Sequence, residues 1–146
     1  MPKRFYPLTI IPILLIFCGC SRDNRPADIP RLFPVTLMIT LDNQPLDDAL
    51  VVLHMEDGPD AKWTVGSRTD SAGQAVITTH GQFRGAPAGK FKVCVSKSEG
   101  IEEGGRPKLV QHVDPLFADP KSTPLEIEVS DKGKVTNSTL NVHKPQ

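Results

Sequence analysis

The chain has 146 residues in which 17 Lys and Arg balance 17 Asp and Glu, giving a formal net charge of zero. With the two signs interspersed there is no clustered basic face for a phosphate backbone, which argues against nucleic acid as a partner. Three cysteines, two of them within the first 20 residues, cannot build a disulfide framework, so stability must come from packing in a single core.

Lys3 and Arg4 make a positive start, and Leu8 to Phe17 is an apolar stretch broken by Thr9 and Pro12. Gly19 supplies the small residue a signal peptidase needs before its cut. The apolar run is shorter than the about 20 residues a membrane-spanning helix requires. Phe17-Cys18-Gly19-Cys20 resembles the lipobox of bacterial lipoproteins, in which Leu, a small residue and Gly or Ala precede the Cys that takes the lipid. Phe17 and Cys18 depart from that pattern at its first two places. The resemblance implies a signal peptide over residues 1–19, lipid on Cys20, export from the cytoplasm, and anchorage in the cell membrane or outer membrane. Ser21, in place of Asp after the lipidated Cys, favours outer-membrane sorting in an envelope that has one. An ordinary secretory peptide and a buried apolar strand are the other readings these residues allow. Residues 20–34, rich in Arg, Asp, Asn and Pro, read as a lipidated Cys followed by a flexible tether.

Residues 35–146 are long enough for one domain, and their pattern has period two. Val35, Leu37, Ile39 and Leu41 alternate with Thr36, Met38 and Thr40, which predicts a strand with one face in a core. Asp42-Asn43-Gln44-Pro45 ends it. Ala49 to Met55 is nearly all apolar and predicts a central strand covered on both faces. Trp63 to Thr69 and Gln74 to Thr79 follow as two further strands around Asp70-Ser71-Ala72-Gly73. In that turn the Asp70 carboxylate can accept from backbone N–H groups two or three residues on, and Gly73 can take positive φ. Gly85 to Gly89 is another turn, leading into a strand from Lys90 to Lys97 in which Cys94 lies on the face of Lys92 and Ser96. A lone strand cysteine of this kind is read as a packing residue, with no general base or helix N-terminus nearby in sequence to activate it. Leu125, Ile127 and Val129 alternate with Glu126 and Glu128, and Ser138, Leu140 and Val142 oppose Asn137, Thr139 and Asn141. About seven short strands with turn chemistry between them predict an all-β sandwich of immunoglobulin-like or transthyretin-like type.

The candidates for chemistry are few. His54, His80, His112 and His143 stand far apart at no ligand spacing, so no metal or cofactor is implied. Asp114 and Asp119 flank Pro115-Leu116-Phe117-Ala118, where capping of a loop competes with calcium binding or acid–base work. Lys97 to Lys108 reads as a charged, solvated loop and as a place where a partner is recognised. Trp63 is either a core residue or an exposed stacking platform for sugar or peptide, which makes it the candidate ligand contact.

Val35 to Met55 with its Leu41-Asp42-Asn43-Gln44-Pro45-Leu46 turn, then Arg68-Thr69-Asp70-Ser71-Ala72-Gly73-Gln74, then Ala86-Pro87-Ala88-Gly89-Lys90-Phe91-Lys92-Val93, resemble the carboxypeptidase regulatory-like domain. That family has a transthyretin-like (prealbumin-like) sandwich. With the lipobox and the stretch Asp119 to Leu125, the whole is similar to small lipoproteins of planctomycete bacteria. Asn43 stands where the family usually has Gly, and Phe91 and Phe117 where Tyr is common. The resemblance implies a non-catalytic accessory or adhesive domain whose motif residues, Asp70, Gly73 and Gly89 among them, are structural turn formers. Enzymes of related folds do not fit. The chain lacks the C-terminal Tyr-Arg-Gly-Ser of hydroxyisourate hydrolases, and its one tyrosine, Tyr6, lies in the signal segment, so it cannot supply the paired Tyr ligands of intradiol dioxygenases. No His-Glu-x-x-His motif for zinc is present. The expected function is therefore that of a membrane-anchored lipoprotein presenting a β-sandwich to an envelope protein or glycan. The alternative is a binding module for a small ligand, glycan or metal, at the cell surface.

Overall fold

The computed structural model describes residues 26–56 and 62–146. The expected signal peptide, the lipidation site Cys20 and the first part of the tether lie outside the described residues. The elements in chain order are β1 (Leu32–Phe33), β2 (Val35–Leu41), β3 (Gln44–Pro45), β4 (Leu50–Met55), β5 (Val65–Arg68), β6 (Gln74–Val76), β7 (Thr78–Thr79) and β8 (Phe83–Arg84). They continue with β9 (Ala86–Pro87), β10 (Gly89–Ser96), β11 (Ser98–Glu103), β12 (Arg106–Gln111), a 3-10 turn (Pro115–Phe117), β13 (Glu126–Val129) and β14 (Thr136–Val142). Among the described residues no helix is long and apolar enough to cross a membrane.

Two sheets form a β-sandwich. The first is six-stranded and antiparallel, in the order β13-β10-β4-β5-β7-β8. The second is built on β2, which pairs in parallel with β14 on one side and with β6 and β3 on the other. The alternation of β2 sends Val35, Leu37 and Ile39 inward at 1% exposure or less, where they meet Val51 and Leu53 of β4 and Phe91, Val93 and Val95 of β10 in one cluster. Closing two apolar sheet faces on each other removes these side chains from water, at about 1.5–3 kcal/mol for each large one.

The structure departs from the sequence reading at several points, among them the segment Gly85 to Gly89, read as a turn, which contains β9. Part of the expected tether is docked: Ile29 and Phe33 are buried, and β1 pairs antiparallel with β9 through Leu32↔Pro87 and Phe33↔Ala86. The packed domain thus begins at least six residues before Val35, because two apolar side chains spaced among prolines suffice to anchor a segment without any periodic pattern. β4 is central, between β10 and β5, yet only one of its faces is covered: Leu50 and His54 are exposed and Val52 is half-buried. Its outer apolar residues reflect strand propensity rather than a second core. Gln74 to Thr79, read as one strand, is divided between the sheets. Ile77 is fully buried at the crossover; its N–H donates to Val35 O at 3.0 Å and its carbonyl accepts from Gly85 N at 2.8 Å.

Candidate functional site

The turn after β5 is held by its own side chains. Asp70 Oδ1 accepts from Ala72 N and Gln74 N, both at 2.9 Å, and Gly73 N donates to Asp70 O at 2.9 Å. Gly73 has φ +77°, and a Cβ there would lie 2.5 Å from Ile39 O. Its carbonyl accepts from Ile39 N at 2.7 Å, which fastens the turn to β2 between β3 and β6. Gly89 opens β10 opposite Val129 of β13. These residues shape backbone and present no reactive group.

Trp63 is half-buried. Its ring meets His80 edge-on at 4.6 Å between centroids, and Lys62 Nζ sits 5.0 Å from the ring centroid. Lys62 also pairs with Asp28, whose carboxyl is held below its ordinary range chiefly by that hydrogen bond. The indole Nε1 is sealed from solvent with no hydrogen-bond partner among the described residues. Trp63 is thus neither a full core residue nor an open platform: a cation and an imidazole edge already occupy its surroundings.

The segment read as a solvated loop is an ordered arm. β11 and β12 pair from Ser98↔Gln111 to Glu103↔Arg106, and Gly104 and Gly105 turn the chain at φ +61° and +77°. Positive φ at both central residues is the two-residue turn that suits the twist of a hairpin. The Gly-Gly pair was the sequence signal for it, masked by the surrounding charge. Every residue of β11 is exposed, and Leu109 and Ile101 are left 65% and 41% exposed. Lys108 Nζ pairs with Glu103 at 2.6 Å and His112 Nε2 with Glu99 at 3.0 Å along one face. The opposite face sets Leu109 against Gly100 and Pro107 against Glu102.

The arm is rooted in the sandwich by Lys97, whose Nζ donates to Asp47 Oδ1 at 2.8 Å and Asp47 O at 2.9 Å. The Asp47 carboxyl lies below its ordinary range, first because of the hydrogen bond from Lys97 and then because of its charge. A shallow cleft of about 330 Å³ lies beside this root, between Leu41, Pro45 and Leu46 on one side and Lys97, His112 and Lys144 on the other.

The other candidates do not assemble into a reactive centre. Cys94 is 6% exposed, and its thiol is pushed up first by burial and then by the charge of Asp119, so it is a poor nucleophile at neutral pH. Asp114 and Asp119 cap backbone, accepting from Leu116 N at 2.9 Å and Lys121 N at 2.8 Å. His143 packs edge-on to Phe117 at 4.8 Å. Among the described residues no three His, Cys, Asp or Glu side chains gather as metal ligands.

No family model matches the chain, and no curated protein matches it. Among solved structures it is similar to a variant of BcpA, the major pilin subunit of Bacillus cereus, with TM-score 0.50, 15% identity, and coverage of 80% of this chain and 31% of that one. A second BcpA structure aligns at TM-score 0.46 and 16% identity, over 79% and 31%. A 9R-lipoxygenase from Cyanothece aligns at 0.42 and 17%, over 84% and 18%. The chain therefore spans less than a third of the pilin subunit's length. The likeness is one of fold. It agrees with the β-sandwich seen here.

Proposed function

We propose that this chain is a non-catalytic, lipid-anchored protein of the cell envelope whose sandwich serves a structural or protein-interaction role, with the β11–β12 arm as its contact surface. The observation that carries the reading is the arm itself. A two-stranded hairpin is marginal in water on its own, and this one leaves Leu109 65% exposed opposite Gly100, on the face away from its ion pairs, where a partner would bury it. Supporting it are the lipobox-like Phe17 to Cys20, the resemblance of the turn motifs to the carboxypeptidase regulatory-like domain, and the likeness of fold to a pilin subunit. Lys97, Asp47, Lys108 and Glu103 are spent on ion pairs and Asp114 and Asp119 on caps, consistent with a surface that binds rather than reacts.

Mass spectrometry of the membrane fraction from the native host tests the anchor. A lipid-modified N-terminal Cys20, with Cys20→Ala lost from membranes, is the expected result; an unmodified chain beginning elsewhere would remove the anchor from the reading. A photo-crosslinking residue at position 109, compared with one at position 128 on the outer face of β13, tests the arm. Adducts at 109 and none at 128 are expected, whereas equal yields would count against the arm as the contact surface.

A second reading, a ligand site for a glycan at the cell surface, rests on the part of the half-buried Trp63 ring that solvent still reaches. Quenching or shift of Trp63 fluorescence on titration with cell-wall oligosaccharides would support it, and an unchanged spectrum at millimolar sugar would dismiss it.

A further inference from the structure

The free edge of β14 has properties that the other edges lack. The register runs from Thr136↔Val35 to Val142↔Leu41, with Thr136 N donating to Pro34 O at 3.0 Å and Val142 O accepting from Asp42 N at 2.9 Å. In a parallel ladder alternate residues make both backbone bonds to the neighbour, so Thr136, Ser138, Leu140 and Val142 face β2. The N–H and C=O groups of Asn137, Thr139 and Asn141 therefore point away from the sheet, and among the described residues no strand pairs with them.

Natural sheets protect such edges with charges, proline or brevity. The edge strand β13 carries Glu126 and Glu128, β8 has two residues with Arg84, β3 has two with Pro45, and the arm carries Glu102, Glu103, Arg106 and Pro107. β14 is seven residues, Thr-Asn-Ser-Thr-Leu-Asn-Val, with no charge, proline or glycine.

We infer that the occupant of this edge is a second copy of the same chain, paired antiparallel about a two-fold axis at Thr139. The open stretch is bounded after Asn141, because Asp114 N already donates to His143 O at 2.9 Å, and its midpoint is Thr139. In this register Thr139 faces its own copy and Asn137 faces Asn141 of the second copy, so every outward N–H and C=O of these residues meets a partner. The cross-strand neighbours are Thr with Thr, Asn with Asn, and Ser138 with Leu140, with no like charges opposed. A slip of one residue sets outward groups against inward ones. A slip of two sets Asn137 against the occupied His143, or leaves Asn141 facing Val135 beyond the strand.

A single strand pair buries less than the roughly 1,000 Å² of a stable complex, so covalent trapping is the fitting readout. The full chain is taken in detergent in a Cys18→Ser, Cys20→Ser background, with the buried Cys94 retained, and oxidised mildly. Thr139→Cys should trap a disulfide dimer several-fold above the background chain, since directly opposed strand residues lie within disulfide reach. Asn137→Cys and Asn141→Cys should each fail alone and form a mixed dimer together. Asn137→Pro removes an outward N–H that the β2 ladder does not use, so in the Thr139→Cys background it should lower trapping while thermal unfolding stays put. No dimer from Thr139→Cys, equal yields at all three positions, or trapping unaffected by Asn137→Pro would each overturn the inference. So would disulfide adducts from host membranes, in a chain that keeps Cys20, that join Thr139→Cys to a different protein and never to its own copy.

Discussion

Gly73 combines two demands that no other residue type meets at once: positive φ, and a backbone approach so close that a Cβ would stand 2.5 Å from Ile39 O. Gly73→Ala should cost about 2 kcal/mol or more, seen as a lower midpoint in chemical denaturation at unchanged slope. Cys94 offers a prediction of opposite kind. Buried, and raised in pKa by that burial, it should resist thiol reagents in the native chain at pH 8 and react promptly once the chain is unfolded; prompt native reaction would contradict its burial. At this scale the sequence shows residue type but not what comes near from afar. Trp63 could be read as core or platform because His80, which meets its edge, lies 17 positions from it, and Asp28, which pairs with the neighbouring Lys62, lies 34 positions from that lysine.

The β11–β12 arm depends on its root as well as its turn. Asp47 has a depressed carboxyl pKa in the folded chain, so its bond to Lys97 adds stability that is fully present above the ordinary value of 3.8 and is lost as pH falls through the depressed value. Hydrogen exchange should therefore show residues 98–111 opening below about pH 4, before the sandwich does, and Asp47→Asn should produce the same local opening at neutral pH. Uniform exchange across arm and sandwich would speak against a local anchor. Strands β2, β13 and β14 were legible because each keeps a period of two with one face turned to the core, and β10 keeps it too save at Cys94, which is buried on the other face. The arm was not, since both its faces are solvated and no alternation of burial marks it; only Gly104-Gly105 did. Nor was the crossover at Ile77, where one continuous strand-like run serves two sheets, because the switch is set by Val35 on one side and Gly85 on the other.

For the molecule as a whole, the core is a single cluster fed by both sheets, and Phe91 is its largest fully buried side chain. Phe91→Ala should cost about 3–5 kcal/mol, much of the about 5–15 kcal/mol that holds a domain of this kind, and should lower the unfolding temperature steeply. The sandwich class followed from strand count and turn spacing, but not the order of strands, since pairing partners are chosen by three-dimensional fit. The parallel union of β2 with β14 shows this most plainly, the Thr40–Asn141 hydrogen bond closing a separation of 101 residues. That closure sets a direction in time. β2 is made among the first strands and waits, one edge unserved, until the last strand arrives. Such non-local pairing folds slowly, so a chain still being made remains open for as long as its C-terminal strand is missing. If the proposed export holds, that delay keeps the polypeptide in the extended form a narrow translocation pore can pass.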